Sequence, residues 1–330
     1  MSEVTPVPES SVRNGDYELR PTADFRYGVS PSTKDQGMDV ISRKAEGSKF
    51  SVIIVSWNVR AYLKSCLESI NQERLNVSLE VVVIDNSSSD GSAKLVRAEF
   101  PWVKLWALPQ NVGFARACNL GAKESVGVYV VFLNPDTEVA GGFFSDLERA
   151  FVQHPGLGAV GARLMNDDGS TQASVRAWPT LWPLALDTLK LLNRWPWLAR
   201  HYLQSNFDYS VSQPVEQVMG ACLAVPRKVW QEVGGFDQGF FVWFEEVDWC
   251  KRASQAGYKV WYEANLTLSH SRARSFSQLT YLERHNLYTR SLLHYARKHL
   301  GLPTWAGLRV LSSAGKLVSF IAGYVTSFHR

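Results

Sequence analysis

A regular alternation of apolar runs and helical stretches begins at residue 50, and it limits how this chain can fold more than any other feature. The run Phe50–Val55 is largely apolar, which is typical of a strand covered on both faces. Further strands are predicted over 79–84, 103–108 and 128–133, with helical stretches between them. Strands and helices that alternate at this spacing predict an α/β fold with a mostly parallel, doubly wound sheet.

Bulk properties bound the domain organisation. The chain has 330 residues, 45% of them hydrophobic, which is enough for one large α/β domain with appendages. Residues 1–48 are rich in Pro, Ser, Glu, Asp and Gly, and we predict a disordered tail there. A net charge of +4 suits phosphates or an anionic membrane surface but is too small to indicate nucleic acid.

Targeting signals and cysteine usage favour a cytosolic protein. The four cysteines are far apart and form no C-x-x-C pair, so we expect reduced, buried thiols. No basic-plus-apolar signal peptide opens the chain. Nor is there an uncharged apolar run of 18 or more residues, so no spanning helix is expected.

The tract Asn111–Gly121, followed by Val130–Thr137, carries the first chemical signal. A glycine-containing turn opens a helix, a strand follows, and that strand ends in a polar step with one carboxylate, Asp136. Ligands of open α/β sheets bind at the carboxyl ends of strands, and a carboxylate there suits Mg²⁺ or Mn²⁺ held jointly with substrate phosphates. No G-x-G-x-x-G follows Val55 and no P-loop occurs, so dinucleotide and P-loop interpretations lose their main support.

A second polar step follows the strand that ends at Ile84. Small polar residues from Asp85 to Ser92 suit a turn into a helix N-terminus, which favours anionic ligands. The alternative is capping alone, by Asp90 or Ser92. Asp85 lies at the strand end and not in the cap, and its carboxylate can accept a hydrogen bond from the ring N–H of a uracil or thymine.

The third signal is the acidic pair Glu245-Glu246, which follows an aromatic loop. Trp243, Phe244 and Trp249 flank the pair, and aromatic surroundings raise the pKa of a carboxyl group and make it a stronger base. The nearby Asp248 is better explained as an acidic residue that complements the dipole of a first helical turn.

A histidine after the last predicted strand is the fourth candidate. His270 lies beyond the acidic helix and close to Arg272 and Arg274. A lone histidine in such a place can be structural or can be a ligand, and its residues alone leave both open.

The ordered set of motifs resembles glycosyltransferase family 2, in particular the rhamnosyltransferase-like group that builds bacterial cell-surface polysaccharides. The resemblance covers about residues 50–275 and rests on SVIIVSWN, VVVIDNSSSDGS, NVGFARACNLG, VVFLNPDTEV, VMGACLAVPRKVW, GGFDQGFFVWFEEVDWCKRASQAGY and the SH of TLSH. It implies a GT-A fold over 49–275, in which a nucleotide-binding half merges with an acceptor-binding half. It also implies inverting transfer from a nucleotide sugar, with dTDP-rhamnose as the indicated donor, to a saccharide or lipid-linked acceptor.

The resemblance assigns roles to particular residues. Those expected to bind the nucleotide are Ser56, Asn58, Asp85, Ser87, Gly113, Asn119 and Asn134. Those expected to bind Mg²⁺ or Mn²⁺ are Asp136 and His270. The catalytic base is expected at Glu246 with Glu245 beside it, and the acceptor side at Trp243, Asp248 and Arg274.

Two of these positions depart from the family pattern. Asn134 replaces the first carboxylate of the metal-binding D-x-D step, which leaves Asp136 as its one carboxylate. Glu246 stands where the family usually has aspartate, so either glutamate of the pair can be the base. Two other functions remain as alternatives: a catalytically silent GT-A domain in a polysaccharide assembly complex, and a sugar-nucleotide nucleotidyltransferase. The nucleotidyltransferase normally begins with a glycine- and lysine-bearing loop, which is absent after Val55.

Residues 276–330 are predicted to form amphipathic helices with apolar residues at helical spacing and basic residues on another face. They either pack back on the catalytic domain or lie in a membrane interface. The second interpretation, aided by the tryptophan-rich tract 178–197, places the protein on the cytoplasmic face of the inner membrane, close to lipid-linked acceptors.

Overall fold

The computed structural model describes residues 48–271 and 275–327. The predicted disordered tail lies outside the described residues except for Ser48, and so does the predicted acceptor-side residue Arg274. From Phe50 onward the chain forms one α/β domain, followed by two long helices.

The strands and helices alternate through the first half of the domain, as the apolar pattern predicts. The strands are β1 (Phe50–Ser56), β2 (Leu79–Asp85), β3 (Lys104–Ala107), β4 (Tyr129–Leu133), β5 (Thr137–Val139), β6 (Leu157–Met165), β7 (Val175–Arg176), β8 (Gln213–Val215), β9 (Gln217–Val218), β10 (Cys222–Pro226) and β11 (Lys259–His270). The helices are α1 (Arg60–Glu73), α2 (Ser92–Glu99), α3 (Phe114–Lys123), α4 (Phe143–Gln153), α5 (Leu181–Thr188), α6 (Arg200–Leu203), α7 (Arg227–Val233), α8 (Glu245–Gln255), α9 (Tyr281–His299) and α10 (Leu302–Ser327).

The central sheet has the order β3-β2-β1-β4-β10-β6-β11-β5, with β8 paired to β11. The first four of these strands are parallel to one another. In the other half β11 is parallel to β6, whereas β10, β5 and β8 run antiparallel to their neighbours. The predicted α/β class is therefore confirmed, and the antiparallel strands belong to the half with less regular apolar spacing.

Helices cover both faces of the sheet, which explains why β1 is buried along its whole length. Side chains of a strand alternate between faces. Val52 and Ile54 pack with α1, α2 and α4, whereas Ile53 and Val55 pack with α3, α8 and α9. Two apolar cores therefore enclose the sheet.

The parallel strands bring three polar chain segments to one edge. Ser56 and Asp85, the last residues of β1 and β2, are in register with each other. On the other side of β1, Leu133 pairs with Ile54, so the step after β4 ends at the same edge. After β1, the chain adds β2 and β3 on one side of this strand and then returns to add β4 on its other side. Open α/β sheets bind ligands at such a point, where the strand order reverses.

Helices α9 and α10 pack against each other and against the domain. A capping box joins Thr280 and Glu283 and begins α9. Ser291 of α9 donates a hydrogen bond to the Val242 carbonyl (2.7 Å), which ties the helix to the aromatic loop before α8. Across residues 48–271 and 275–327, no helix combines the length and the apolar composition needed to cross a membrane.

Candidate active site

The ends of β1 and β2 present buried polar atoms to the edge of the sheet. Ser56 is fully buried and Asp85 is 3% exposed. Within the described residues, the Ser56 hydroxyl and Asp85 Oδ1 have no hydrogen-bond partner. The other oxygen of Asp85 accepts from the Ser88 backbone N–H at 3.1 Å. Because buried polar atoms are nearly always paired, these two atoms indicate a place for a polar ligand.

The loops that follow these two strands are fastened together. Asn58 accepts a hydrogen bond from the Ser89 N–H (2.7 Å) through its side chain, and its own N–H donates to the Ser88 hydroxyl (3.0 Å). Asn58 and Ser87 both have left-handed backbones, with φ of 51° and 68°. Such conformations are uncommon outside glycine and cluster at ligand sites, which marks both loops as candidates for a functional role.

Helix α3 is joined to the loop that carries the acidic pair. Gly113 has φ of 85°, and a Cβ there would lie 2.6 Å from the Phe241 carbonyl oxygen. Asn119 uses both ends of its amide on the Phe236 backbone, at 2.8 and 2.9 Å. Gly113 and Asn119 therefore hold this loop, and both ends of the Asn119 amide are used for that purpose.

The step after β4 brings the two predicted metal ligands together. His270 pairs with Thr137 where β11 meets β5, and Ser271 donates to the Asp136 carbonyl oxygen at 2.9 Å. As a result, His270 Nε2 lies 3.5 Å from Asp136 Oδ1, although the two residues are distant in sequence. Asn134 is half-buried at the start of the step, and its N–H donates to the Ala221 carbonyl (3.0 Å).

The chemistry of this pair fits a divalent cation. Both side chains are 6% exposed. His270 Nε2 is buried and has no hydrogen-bond partner in the part of the chain that the structure describes. No group of three or more His, Cys, Asp and Glu side chains among the described residues is arranged to hold a metal. An ion here would therefore have two protein donors and would take further ligands from phosphate oxygens or water, as Mg²⁺ commonly does.

The acidic pair begins α8 after a strained turn. Trp243 and Phe244 have φ of 65° and 70°, which costs about 1–3 kcal/mol per residue and is typical of functional sites. Glu245 is 4% exposed, and both it and Glu246 have one buried carboxylate oxygen with no hydrogen-bond partner among the residues described. This turn sets the direction in which α8, with the acidic pair in its first turn, extends from the loop.

Burial raises the pKa of both glutamates, and their surroundings distinguish them. The pKa of Glu245 lies well above its usual range, first because of burial and second because of the Glu246 charge. Burial also raises the pKa of Glu246, but backbone N–H groups, including that of Gly220, favour its ionised form. The ionised form of Glu246 therefore has more support from backbone N–H groups than that of Glu245.

Glu246 also lies close to the polar step after β4. A Cβ on Gly220 would be 3.4 Å from Glu246 Cγ, and the next residue, Ala221, accepts the hydrogen bond from Asn134. Glu246 therefore lies beside the chain segment that is hydrogen-bonded to the step after β4.

Asp248 occupies a different environment from the other acidic residues. Its side chain is completely buried and contacts Arg252 (2.8 Å), Lys298 (2.7 Å) and His299 (2.7 Å). Burial acts against ionisation, but the hydrogen bonds from His299 and Lys298 and the Arg252 charge lower the pKa of Asp248. This geometry favours a role in anchoring α9 to α8. Trp243, the other acceptor-side candidate within the described residues, lies with its ring 5.9 Å from that of Tyr288 on α9.

Two contacts at the site involve residues that the sequence analysis missed. Gln172 is fully buried and binds the ring of His270 (2.9 Å), and Gly220 lies beneath Glu246. Gly220 is part of the motif VMGACLAVPRKVW, but nothing in that motif indicates a contact with Glu246. Gln172 lies in no motif, and its partner is 98 residues away.

The α/β sheet thus brings buried polar atoms without hydrogen-bond partners among the described residues, the Asp136–His270 pair and an acidic pair to the carboxyl ends of its parallel strands. The family model for glycosyl transferase family 2 matches residues 51–212. The chain belongs to this family and is a glycosyltransferase.

Among its relatives is the N-acetylglucosaminyl-diphospho-decaprenol L-rhamnosyltransferase of Mycobacterium tuberculosis, 29% identical over 239 residues that cover 68% of this chain and 76% of the relative. The low-salt glycan biosynthesis hexosyltransferase Agl10 of Haloferax volcanii is 24% identical and covers 64% of this chain and 63% of the relative. The crystal structure of GalNAc-T7 with UDP, GalNAc and Mn²⁺ aligns with a TM-score of 0.56 at 17% identity, over 76% of this chain and 48% of that one. At this identity the likeness concerns the fold alone.

Proposed function

We propose that the protein is an inverting glycosyltransferase that moves rhamnose from dTDP-rhamnose to a hydroxyl of a lipid-linked or saccharide acceptor. The observation that carries the proposal is the row of buried, unpaired polar atoms on Ser56, Asp85, His270 and Glu246 at one edge of the sheet. The name of the mycobacterial relative supports the choice of sugar and of a lipid-linked acceptor.

The donor binds across the ends of the parallel strands. Asp85 Oδ1 accepts the ring N–H of the pyrimidine, and the Ser56 hydroxyl contributes a further hydrogen bond. Asp136 and His270 would hold Mg²⁺ or Mn²⁺, which supplies charge neutralisation for the leaving nucleoside diphosphate.

Glu246 acts on the acceptor. Its ionised carboxylate takes the proton of the acceptor hydroxyl, and the oxygen forms a bond to the anomeric carbon from the face opposite the diphosphate. The bond between the anomeric carbon and the diphosphate oxygen breaks in the same displacement, so the configuration inverts. The strained turn before α8 contributes by fixing the position of the base before substrates arrive.

A thermal-shift panel of nucleotide sugars tests the donor. With Mn²⁺ present, dTDP-rhamnose is expected to raise the melting temperature more than UDP-N-acetylglucosamine or GDP-mannose does, since saturation at a hundred times Kd adds about 2.7 kcal/mol. Asp85→Asn should reduce this shift. Asp146→Asn is the control and should preserve the shift in melting temperature. Asp146 lies on α4, which covers the sheet face that α1 and α2 also cover. A wild-type melting temperature that no nucleotide sugar changes would refute the proposed function.

We further propose that the C-terminal helices attach the protein to the anionic cytoplasmic face of a membrane. A cleft of about 600 Å³ between α9 and α10 is lined by Arg290, Arg297, Arg309 and Trp305, and the described residues that line it include no aspartate or glutamate. On the outer side of α10, Leu302 and Val310 are 64% and 73% exposed. Cationic and apolar groups side by side favour an interface with anionic lipid.

The tryptophan-rich tract supports the same proposal. Trp182, Trp195 and Trp197 are 57%, 41% and 67% exposed, and tryptophan favours the boundary between water and lipid. Helix α5, which carries Trp182, contacts α10. Another side of α9, with Leu292 and Tyr295, is buried against the domain. Packing and membrane attachment therefore use different faces of these helices.

Vesicle flotation tests the attachment. Full-length protein is expected to float with phosphatidylglycerol vesicles at low salt and to remain behind with phosphatidylcholine vesicles. Replacing Arg290, Arg297 and Arg309 together by glutamine should weaken binding by about 100-fold, because each cation near such a surface contributes about 1 kcal/mol. The matched control replaces the exposed arginines Arg74, Arg97 and Arg149 on the other face of the sheet. Equal losses in both triple variants, or no flotation of the wild type, would contradict the proposal.

A further inference from the structure

Gln172 is held rigidly in the segment that follows β6. Its side chain is completely buried. Its backbone N–H donates to the Leu164 carbonyl at 2.8 Å, and the neighbouring Thr171 forms a bridge with Met165. The segment folds back onto the strand through a turn at Gly169, which has φ of 79°. The position of the Gln172 amide is therefore fixed by the backbone around it.

The amide of Gln172 contacts His270 at two points. Its nitrogen donates to the His270 backbone carbonyl oxygen at 2.6 Å, and its oxygen lies 2.9 Å from Nδ1 of the His270 ring. The first contact requires an N–H group, which settles the orientation of the amide and leaves its oxygen facing the ring. An amide oxygen can only accept, so Nδ1 must carry the hydrogen.

This contact decides what the other nitrogen of the ring can do. In a neutral imidazole with hydrogen on Nδ1, Nε2 carries a lone pair and no hydrogen. That Nε2 is buried, has no hydrogen-bond partner among the described residues, and lies 3.5 Å from Asp136 Oδ1. With a neutral ring, two electron-rich atoms would face each other at this separation, and a cation bound by both would remove their repulsion.

We infer that Gln172 is a positioning residue for the metal: it fixes the tautomer and ring orientation of His270 so that Nε2 faces the ion beside Asp136. The inference rests on the metal site of the proposed function. Groups that hold the second nitrogen of a histidine ligand usually contribute 10- to 100-fold to metal affinity. Gln172 does this from a segment with no recognisable motif, 36 residues beyond Asp136.

Three variants separate this role from mere packing. Gln172→Met keeps a similar volume but removes the acceptor for Nδ1–H. Gln172→Glu retains an acceptor for Nδ1–H but loses the N–H that donates to the His270 carbonyl, so it tests the ring contact separately from the backbone contact. Gln217→Met is the matched control, since Gln217 is 4% exposed and its amide nitrogen donates to the Ala177 carbonyl oxygen at 2.6 Å.

The first measurement is Mn²⁺ affinity by calorimetry in the presence of dTDP. Gln172→Met is expected to weaken Mn²⁺ binding by about 10- to 100-fold. Gln172→Glu should stay within a few-fold of wild type, and Gln217→Met should match it. Equal Mn²⁺ affinity in Gln172→Met and wild type would overturn the inference, and so would equal losses in Gln172→Met and Gln217→Met.

The second measurement uses no metal and no nucleotide. Nitrogen-15 NMR of histidine-labelled protein is expected to show the Nδ1–H tautomer of His270 in the wild type and in Gln217→Met, and its loss in Gln172→Met. An Nε2–H tautomer in the wild type would overturn the inference whatever the enzyme does. Conversely, the expected tautomer in a wild type that binds no Mn²⁺ would refute the metal site, and with it the inferred role of Gln172.

Discussion

Replacing Asp136 by alanine is expected to abolish sugar transfer and to make nucleotide binding independent of Mn²⁺. The carboxylate is 8% exposed, lies 3.5 Å from His270 Nε2, and is the one acidic side chain of the Asn134-Pro135-Asp136 step. Without the Asp136 carboxylate, His270 would be the remaining one of the two proposed protein ligands of the ion. Because metal ions stabilise developing charge by several kcal/mol, we expect transfer to fall by about three orders of magnitude or more.

The Asp136 experiment needs a control for lost charge and lost stability. Glu138 lies two residues further along the chain, is exposed, and removes the same charge when replaced by alanine. Calorimetry with dTDP and Mn²⁺ should show metal-dependent binding in wild type and Glu138→Ala, and metal-independent binding in Asp136→Ala. Full transfer by Asp136→Ala, or wild-type transfer undiminished by EDTA, would contradict the assignment.

The parallel half of the sheet could be predicted from the sequence for a simple physical reason. Strands covered on both faces need apolar side chains at nearly every position, and β1 and β2 show this directly. The predicted strand over 79–84 corresponds to Leu79–Asp85, and that over 103–108 to Lys104–Ala107. Polar residues that end such runs necessarily lie at the sheet edge, which is why Asp85 and Asp136 could be picked out.

The antiparallel half could not be predicted in this way. The sequence analysis expected His270 to follow the last strand, whereas β11 extends over Lys259–His270, includes this histidine, and pairs with β5, β6 and β8. Its register against β6 shifts twice, and no local pattern encodes such irregularities. The meeting of His270 with Asp136 depends on this strand, so only their separate roles, and not their contact, could be proposed from the sequence.

The directions of the acidic side chains on α8 also could not be predicted from the sequence. Asp248 lies two residues after Glu246, and a periodicity of 3.6 cannot tell which acid faces a ligand. Its partners Lys298 and His299 come from α9, about 50 residues later. Nor does the sequence reveal the left-handed backbones of Trp243 and Phe244, because both residue types ordinarily avoid that region.

Replacing Glu246 by glutamine is expected to lower kcat by about 10²–10⁴-fold while dTDP-rhamnose affinity stays unchanged. Glutamine keeps the shape of the side chain above Gly220 but cannot accept the proton of the acceptor hydroxyl. Since burial raises the pKa of Glu246, wild-type kcat/KM should fall as the pH decreases through a value above the usual range for glutamate. This acidic limb should be absent from the Glu246→Gln profile.

Glu245→Gln is the matched control, because it changes the adjacent carboxyl group in the same way. Backbone N–H groups favour the ionised form of Glu246 more than that of Glu245, so we expect Glu245 to be the neutral member of the pair, a state that an amide reproduces. The kcat of the Glu245→Gln variant is therefore expected to remain within a few-fold of wild type. Removing the neighbouring carboxyl also removes one cause of coupling between the two titrations, so the acidic limb of Glu245→Gln should be a single-proton curve. A crippled Glu245→Gln together with an active Glu246→Gln would assign the base to Glu245.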